Sequence, residues 1–119
     1  MEHTKLGVIE SRFADLIWAN EPLTTAELVE LCGRELDWKR TTTYTVLKKL
    51  SERGLFQNDR GTVTSLISRQ DYYGLQGEKF VEEAFSGSLP AFLAAFTSRK
   101  KLSEEELEAL QKLIDESRG

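Results

Sequence analysis

The chain is predicted to be mainly α-helical with one small β-hairpin, and three observations carry that expectation. Residues 38–54, WKRTTTYTVLKKLSERG, set Thr43, Val46, Leu47 and Leu50 at i, i+3, i+4 and i+7, the spacing of a core-facing helical stripe. Two shorter helical stripes precede that segment. Two β-prone runs around a polar, Gly-containing loop follow it. Three short helices followed by a hairpin is the order of a winged helix-turn-helix, in which the third helix enters the DNA major groove. Further helices beyond the hairpin form a C-terminal region. The expected division is residues 1–70 for the winged helix and 71–119 for that region.

The first helix is read over residues 6–19. Leu6, Ile9, Phe13, Leu16 and Ile17 share one face, with Trp18 beside them. Asn20-Glu21-Pro22 breaks it, because Pro disfavours helix at the residue before it. Thr24 and Glu27 are spaced as a capping box, so a second helix starts there. Its apolar face is Leu23, Leu28 and Leu31, with Ala26 and Val29 at the margin, and Gly33 and the polar residues 34–37 end it. The third helix follows, and Gly54 stops it as a C-terminal cap. Leu55-Phe56-Gln57 and residues 62–67 are the hairpin strands, around Asn58-Asp59-Arg60-Gly61.

The outward side of the third helix carries Arg40, Thr41, Thr42, Tyr44, Thr45, Lys48 and Lys49, with no acid among them. Solvated helix faces commonly mix both charge signs. Hydroxyls, a phenol and cations are groups that meet phosphates and base edges. The net charge of −4 does not oppose this reading once it is divided along the chain. Residues 1–70 are neutral and residues 71–119 carry the whole −4, whereas residues 39–60 are net +4. The local stripe decides binding. Thr42 and Thr45 suit base hydrogen bonds or a thymine methyl, and Tyr44 suits a phosphate or a base. Arg40, Lys48, Lys49 and Lys39 at the helix entrance suit phosphates, with Thr41 on the same face and Arg60 and Thr62 on the wing reaching toward the backbone. Trp38 is read as a packing anchor and Thr43 as core.

Residues 71–85 form a fourth helix, interrupted by Ser86-Gly87-Ser88. Residues 89–96 form an apolar helix with Pro90 in its first turn, and Arg99-Lys100-Lys101 is a basic linker. Ser103 and Glu106 make a second capping box. The run Glu104-Glu105-Glu106 is explained by the helix dipole, which favours acids in a first turn. The last helix sets Leu107, Leu110, Leu113 and Ile114 on one side. With Phe80, Phe85, Leu89, Phe92, Leu93 and Phe96, that is more apolar surface than a short tail covers alone. A symmetric dimer is the economical solution.

Four segments resemble the penicillinase repressor family, which includes the β-lactamase and methicillin-resistance repressors. They are the opening helix ending Leu16-Ile17-Trp18; Asp37-Trp38 with residues 41–50 and Glu52-Arg53-Gly54-Leu55; Leu66-Ile67-Ser68 ahead of Asp71-Tyr72; and Phe85-Ser86-Gly87-Ser88-Leu89 with Phe96 and Leu102-Ser103-Glu104-Glu105-Glu106-Leu107. The last is the most distinctive, since winged helices in general do not share it. The resemblance implies a cytoplasmic homodimeric repressor of double-stranded, palindromic operator DNA, dimerised through its C-terminal helices. In one branch a membrane sensor protease cleaves within those helices to release the operator. The matching segment here is Leu93-Ala94-Ala95-Phe96, with Ala95-Phe96 at the cleavage position and Ala95 where that branch usually has Asn. The paired C-terminal cysteines of the copper-responsive branch are absent here, and Ser11 replaces a common Trp of the opening helix.

Other functions have less support. No apolar run reaches about 18 residues, so no membrane span is expected, and the N-terminus lacks the basic-then-apolar order of a signal peptide. Cys32 is the single cysteine and His3 the single histidine, so neither an internal disulfide nor a zinc site is expected. Cys32 is read as a small buried or half-buried residue, and His3 as inert. No nucleophile–base pair, phosphate-binding Gly loop or metal-ligand cluster argues for an enzyme, and no cofactor is expected. Two rivals stay open: a winged-helix interaction module that never meets DNA, and a repressor released by a small effector.

Overall fold

Apolar side chains from four helices and a small sheet close around one core. The computed structural model describes residues 5–119, so His3 lies outside the described residues. In chain order the elements are α1 (Val8–Asn20), β1 (Leu23–Thr24), α2 (Thr25–Leu36), α3 (Arg40–Glu52), β2 (Phe56–Asp59), β3 (Thr62–Ser65), α4 (Arg69–Phe85), α5 (Leu89–Arg99) and α6 (Glu104–Ser117). The fold class is the expected one, helical with a hairpin wing. The chain divides into two compact units, Met1–Gln76 and Gly77–Gly119, with α4 running from the first into the second. Residues 71–76 of α4, on the C-terminal side of the expected division at 70/71, include Tyr72, which packs in the core of the first unit.

In the first unit α1 buries Phe13, Ala14 and Ile17, α2 buries Leu28 and Cys32, and α3 buries Thr43, Leu47 and Leu50. Leu55, Phe56, Val63 and Tyr72 complete the core. Burying each large side chain contributes roughly 1.5–3 kcal/mol. Ile9 departs from its expected place on the apolar face: it is exposed, as is Val8, and Leu6, just ahead of the helix, is buried instead. The Leu6 N–H donates to the Tyr72 hydroxyl at 3.1 Å, which ties the entrance of α1 to α4. Trp18 lies between Phe56 and Tyr72, and its Nε1–H donates to the Ile67 carbonyl at 3.0 Å.

Local signals set the helix ends. The Thr24 hydroxyl accepts from the Glu27 N–H, and the Glu27 carboxylate accepts from the Thr24 N–H at 2.8 Å, the capping box read from the sequence. Gly33 does not end α2. The helix runs on to Leu36, and Asp37 takes the left-handed conformation that closes it. At the end of α3, Gly54 N–H donates to the Ser51 carbonyl and Leu55 N–H to the Leu50 carbonyl, with Leu50 and Leu55 both buried. That is a Schellman closure, and Gly54 supplies its positive φ of 82°.

The sheet has three antiparallel strands in the order β1-β3-β2. The sequence reading assigned Leu23 to the second helix; it pairs instead with Val63, and both are buried. The hairpin loop is tighter than the four residues expected. Asp59 pairs with Thr62, leaving Arg60 and Gly61 as the loop, with φ of 53° and 88°. Two positive φ values match the type I′ turn that suits strand twist. Asn58 Oδ1 accepts from the Gly61 N–H at 2.9 Å. The wing is anchored at both ends: the Gly61 carbonyl accepts from Thr25 N–H at 3.0 Å, and the Glu21 carboxylate accepts from Ser65 N–H at 2.7 Å.

In the second unit Ser88 caps α5 and Ser103 caps α6, the latter in a capping box with Glu106. Neither helix has a buried residue. Phe80, Phe85 and Phe92 meet edge to face at 5.7–6.1 Å, and Phe96 sits 6.0 Å from Phe92. Leu89, Phe96, Leu107, Leu113 and Ile114 stay exposed.

Candidate nucleic-acid interface

The buried stripe of α3 leaves the opposite side of the helix outward. Thr41, Thr45 and Lys48 stand on that side at i, i+4 and i+7, and all three are exposed. Arg40 and Tyr44 form one flank, with the guanidinium 5.4 Å from the ring centroid. That cation–π contact steadies both groups. Thr42, Lys49 and Arg53 form the other flank. The Thr45 hydroxyl donates to the Thr41 carbonyl at 2.8 Å, so its oxygen faces out as an acceptor. The Thr42 hydroxyl makes no hydrogen bond to another described residue, which leaves it both donor and acceptor. Lys39 precedes the helix in extended conformation and is exposed.

Thr43 is buried, as expected, with its hydroxyl donating to the Lys39 carbonyl at 3.3 Å. Trp38 stacks on Phe13 at 5.4 Å and 25° and is a packing anchor. Cys32 is buried next to Thr43; burial pushes its thiol up, and the Thr43 hydroxyl pulls it partly back. A thiol held protonated is a poor nucleophile.

Arg60 stands at the tip of the wing, its side chain 96% exposed and its Nε 3.9 Å from Asp59. Thr62 is exposed beside it. The structure thus brings Arg40, Thr41, Thr42, Tyr44, Thr45, Lys48 and Lys49 onto one helix, and sets Arg60 and Thr62 on a separate, rigidly anchored turn.

Two acids border this surface, and only the second is brought there by folding. Glu52 follows Lys48 by one turn and closes the outward face at its C-terminal end. Glu10 comes from α1: its Oε2 is 2.7 Å from Lys49 Nζ and its Oε1 is 3.6 Å from Arg53 Nη1. Oε1 also accepts from the Gly7 N–H at 3.1 Å. The Lys49 ammonium, with the Gly7 N–H, holds this carboxyl below the usual range. Among the described residues no carboxylate pairs with Lys39, Arg40 or Lys48.

A third helix with an outward face of hydroxyls and cations, braced by two helices and flanked by an anchored wing, is the build of a winged-helix transcriptional regulator. The penicillinase repressor family matches residues 6–116. The chain belongs to that family, whose members are regulatory repressors and not enzymes. It is 24% identical over 108 residues to the penicillinase repressor of Bacillus licheniformis, covering 87% of this chain and 84% of that one. It is 20% identical over 115 residues to the methicillin resistance regulatory protein MecI of Staphylococcus aureus, covering 93% and 94%. The MecI of Mammaliicoccus sciuri is 19% identical over the same length. Among the described residues no helix is long and apolar enough to cross a membrane.

Proposed function

We propose that the chain is a cytoplasmic homodimeric repressor in which each winged helix occupies one half of a dyad-symmetric operator. The observation that carries this reading is the outward face of α3, free of acid from Arg40 to Lys49 and opposite a stripe in which Thr43, Leu47 and Leu50 are buried. Arg40, Lys48 and Lys39 supply phosphate contacts that fix position, and Arg60 and Thr62 add the wing's contacts to the backbone. Thr42, Tyr44 and Thr45 face the base edges, with Thr41 between them. The second copy is supported by the second unit, whose apolar residues Phe80, Leu89, Phe96, Leu107, Leu113 and Ile114 are 41–59% exposed in the single chain. Phe85, Phe92, Leu93 and Leu110 are half-buried beside them. Packing two such surfaces together removes them from water.

Derepression follows from cleavage of the Ala95–Phe96 bond by a membrane sensor protease. Both residues are exposed, yet they lie inside α5, so the protease acts on a locally unwound helix. Cutting there severs Phe96 and all of α6 from the aromatic cluster and removes the basis of the dimer. The names of the relatives connect this regulation to β-lactam resistance.

The test is a footprint of the purified protein on DNA upstream of its own gene and its neighbours, at two salt concentrations. A protected dyad with steep salt dependence is expected. Weak, unlocalised protection alone would sink the operator reading in favour of an interaction module.

A further inference from the structure

We propose that Glu10 attenuates the DNA interface: it holds Lys49 back from the phosphates of duplex DNA at large. The inference rests on the operator-binding reading. It gives a role to a residue of α1, outside the helix that carries the interface.

Lys49 is exposed over 60% of its side chain, so a phosphate can reach it. It is nevertheless already engaged, 2.7 Å from a carboxylate that is only 21% exposed. Glu10 is itself pinned from two further directions, by the Gly7 N–H and by Arg53. Arg53 is 20% exposed and sits at the C-terminal end of α3, where the helix dipole also favours a cation. The carboxylate therefore cannot follow Lys49 outward. A half-buried, multiply held ion pair is harder to break than an exposed one. A phosphate must share Lys49 with Glu10, whose charge offsets the ammonium's, whereas Lys48, one residue earlier, has no such competitor among the described residues.

Nonspecific binding comes almost entirely from phosphate neutralisation, while specific binding adds base contacts. Withholding one cation therefore lowers the phosphate contribution that nearly all nonspecific binding rests on and leaves the base contacts unchanged. Glu10 thereby lowers the protein's affinity for duplex DNA at large without touching it.

The experiment compares the wild-type protein, Glu10→Gln, Lys49→Ala and the double variant. Each is titrated by fluorescence anisotropy into a duplex lacking the dyad and one containing it, across several salt concentrations. Gln keeps an oxygen for the Gly7 N–H. Expected for Glu10→Gln is random-duplex binding tighter by about threefold to tenfold at low salt, with a salt slope steeper by about 0.9, one added phosphate. The gain vanishes in the double variant, which marks it as Lys49's own. An unchanged slope, or a gain that survives loss of Lys49, overturns the proposal. Should Glu10→Gln fail to fold, Lys49→Ala decides by itself. It costs random-duplex binding clearly less than Lys48→Ala does, and equal losses overturn the proposal. If the wild type shows no preference for the dyad duplex, the operator reading fails instead, a result separate from the slope comparison.

Discussion

The two units of this chain handle apolar surface in opposite ways. In the first, Phe13, Ile17, Leu28, Leu50, Leu55, Phe56, Val63 and Tyr72 are all at most 1% exposed. In the second, α5 and α6 bury nothing, and the phenylalanines of α4 and α5 lean on one another instead. Both units have well-capped helices, so the difference does not lie in local helix signals. It lies in layers: the first unit sets a sheet against its helical core, and the second has helices alone. Local order and a closed interior are separate achievements. The first unit has both, and the second has local order without a closed interior.

The sharpest way to break the contrast is at its two centres. Phe13→Ala removes a fully buried ring that also supports Trp38, and should cost the first unit about 3–5 kcal/mol in denaturant unfolding. A cost below about 1 kcal/mol would show that this interior is looser than its burial implies. Phe92→Asp places a carboxylate in the aromatic cluster of the second unit, where a charge without a partner is costly. The expected result is a monomer at micromolar concentration by sedimentation, with the first unit still melting cooperatively. A persistent dimer would remove this cluster from the proposed interface.

Smaller effects sharpen the comparison within the first unit. Thr42→Ala should change preference among operator variants by about 1–3 kcal/mol if its hydroxyl reads a base. Lys48→Ala should instead weaken all duplexes alike and flatten the salt slope by about one unit. Exchange of these two patterns would reverse the roles. The smallest effect is the acid response of Glu10. Its folded carboxyl is held below the ordinary value of 4.5, so its contribution to stability is full above that value. The contribution fades as pH falls below 4.5 and through the folded value. The gap in melting temperature between wild type and Glu10→Gln should therefore narrow on acidification in that window. A gap that is constant with pH would mean the ion pairs add nothing.

What was legible in the sequence follows the same division between local and distant causes. Thr24 with Glu27 and Ser103 with Glu106 act across three residues, and both capping boxes formed as read. The stripe of Thr43, Leu47 and Leu50 states its own periodicity, so α3 and its outward face were readable together. β1 was not, because two residues become a strand only by pairing with Val63 and Thr62 far along the chain. Ile9 matched the helical period yet stays exposed, while Leu6, read on the same face, is buried just ahead of the helix. Gly33 reads as a stop, but the helix continues to Leu36 and the left-handed Asp37 closes it. Lys49 was legible as a cation; its partner was not, since Glu10 lies on another helix and only the packing of α1 on α3 joins them. The chemistry of the interface was thus readable, and its internal competition was not.

That α5 and α6 bury nothing in one chain has a consequence for gene dosage. If the second copy supplies the missing interior, the operator-binding species forms in proportion to the square of monomer concentration wherever monomers dominate. Halving the amount of protein then leaves about a quarter of the binding species. Inactivating a modest fraction of the pool lowers repression by more than that fraction, and each damaged chain that captures an intact one withdraws it as well. A shortage of buried surface thereby becomes a steep dose–response.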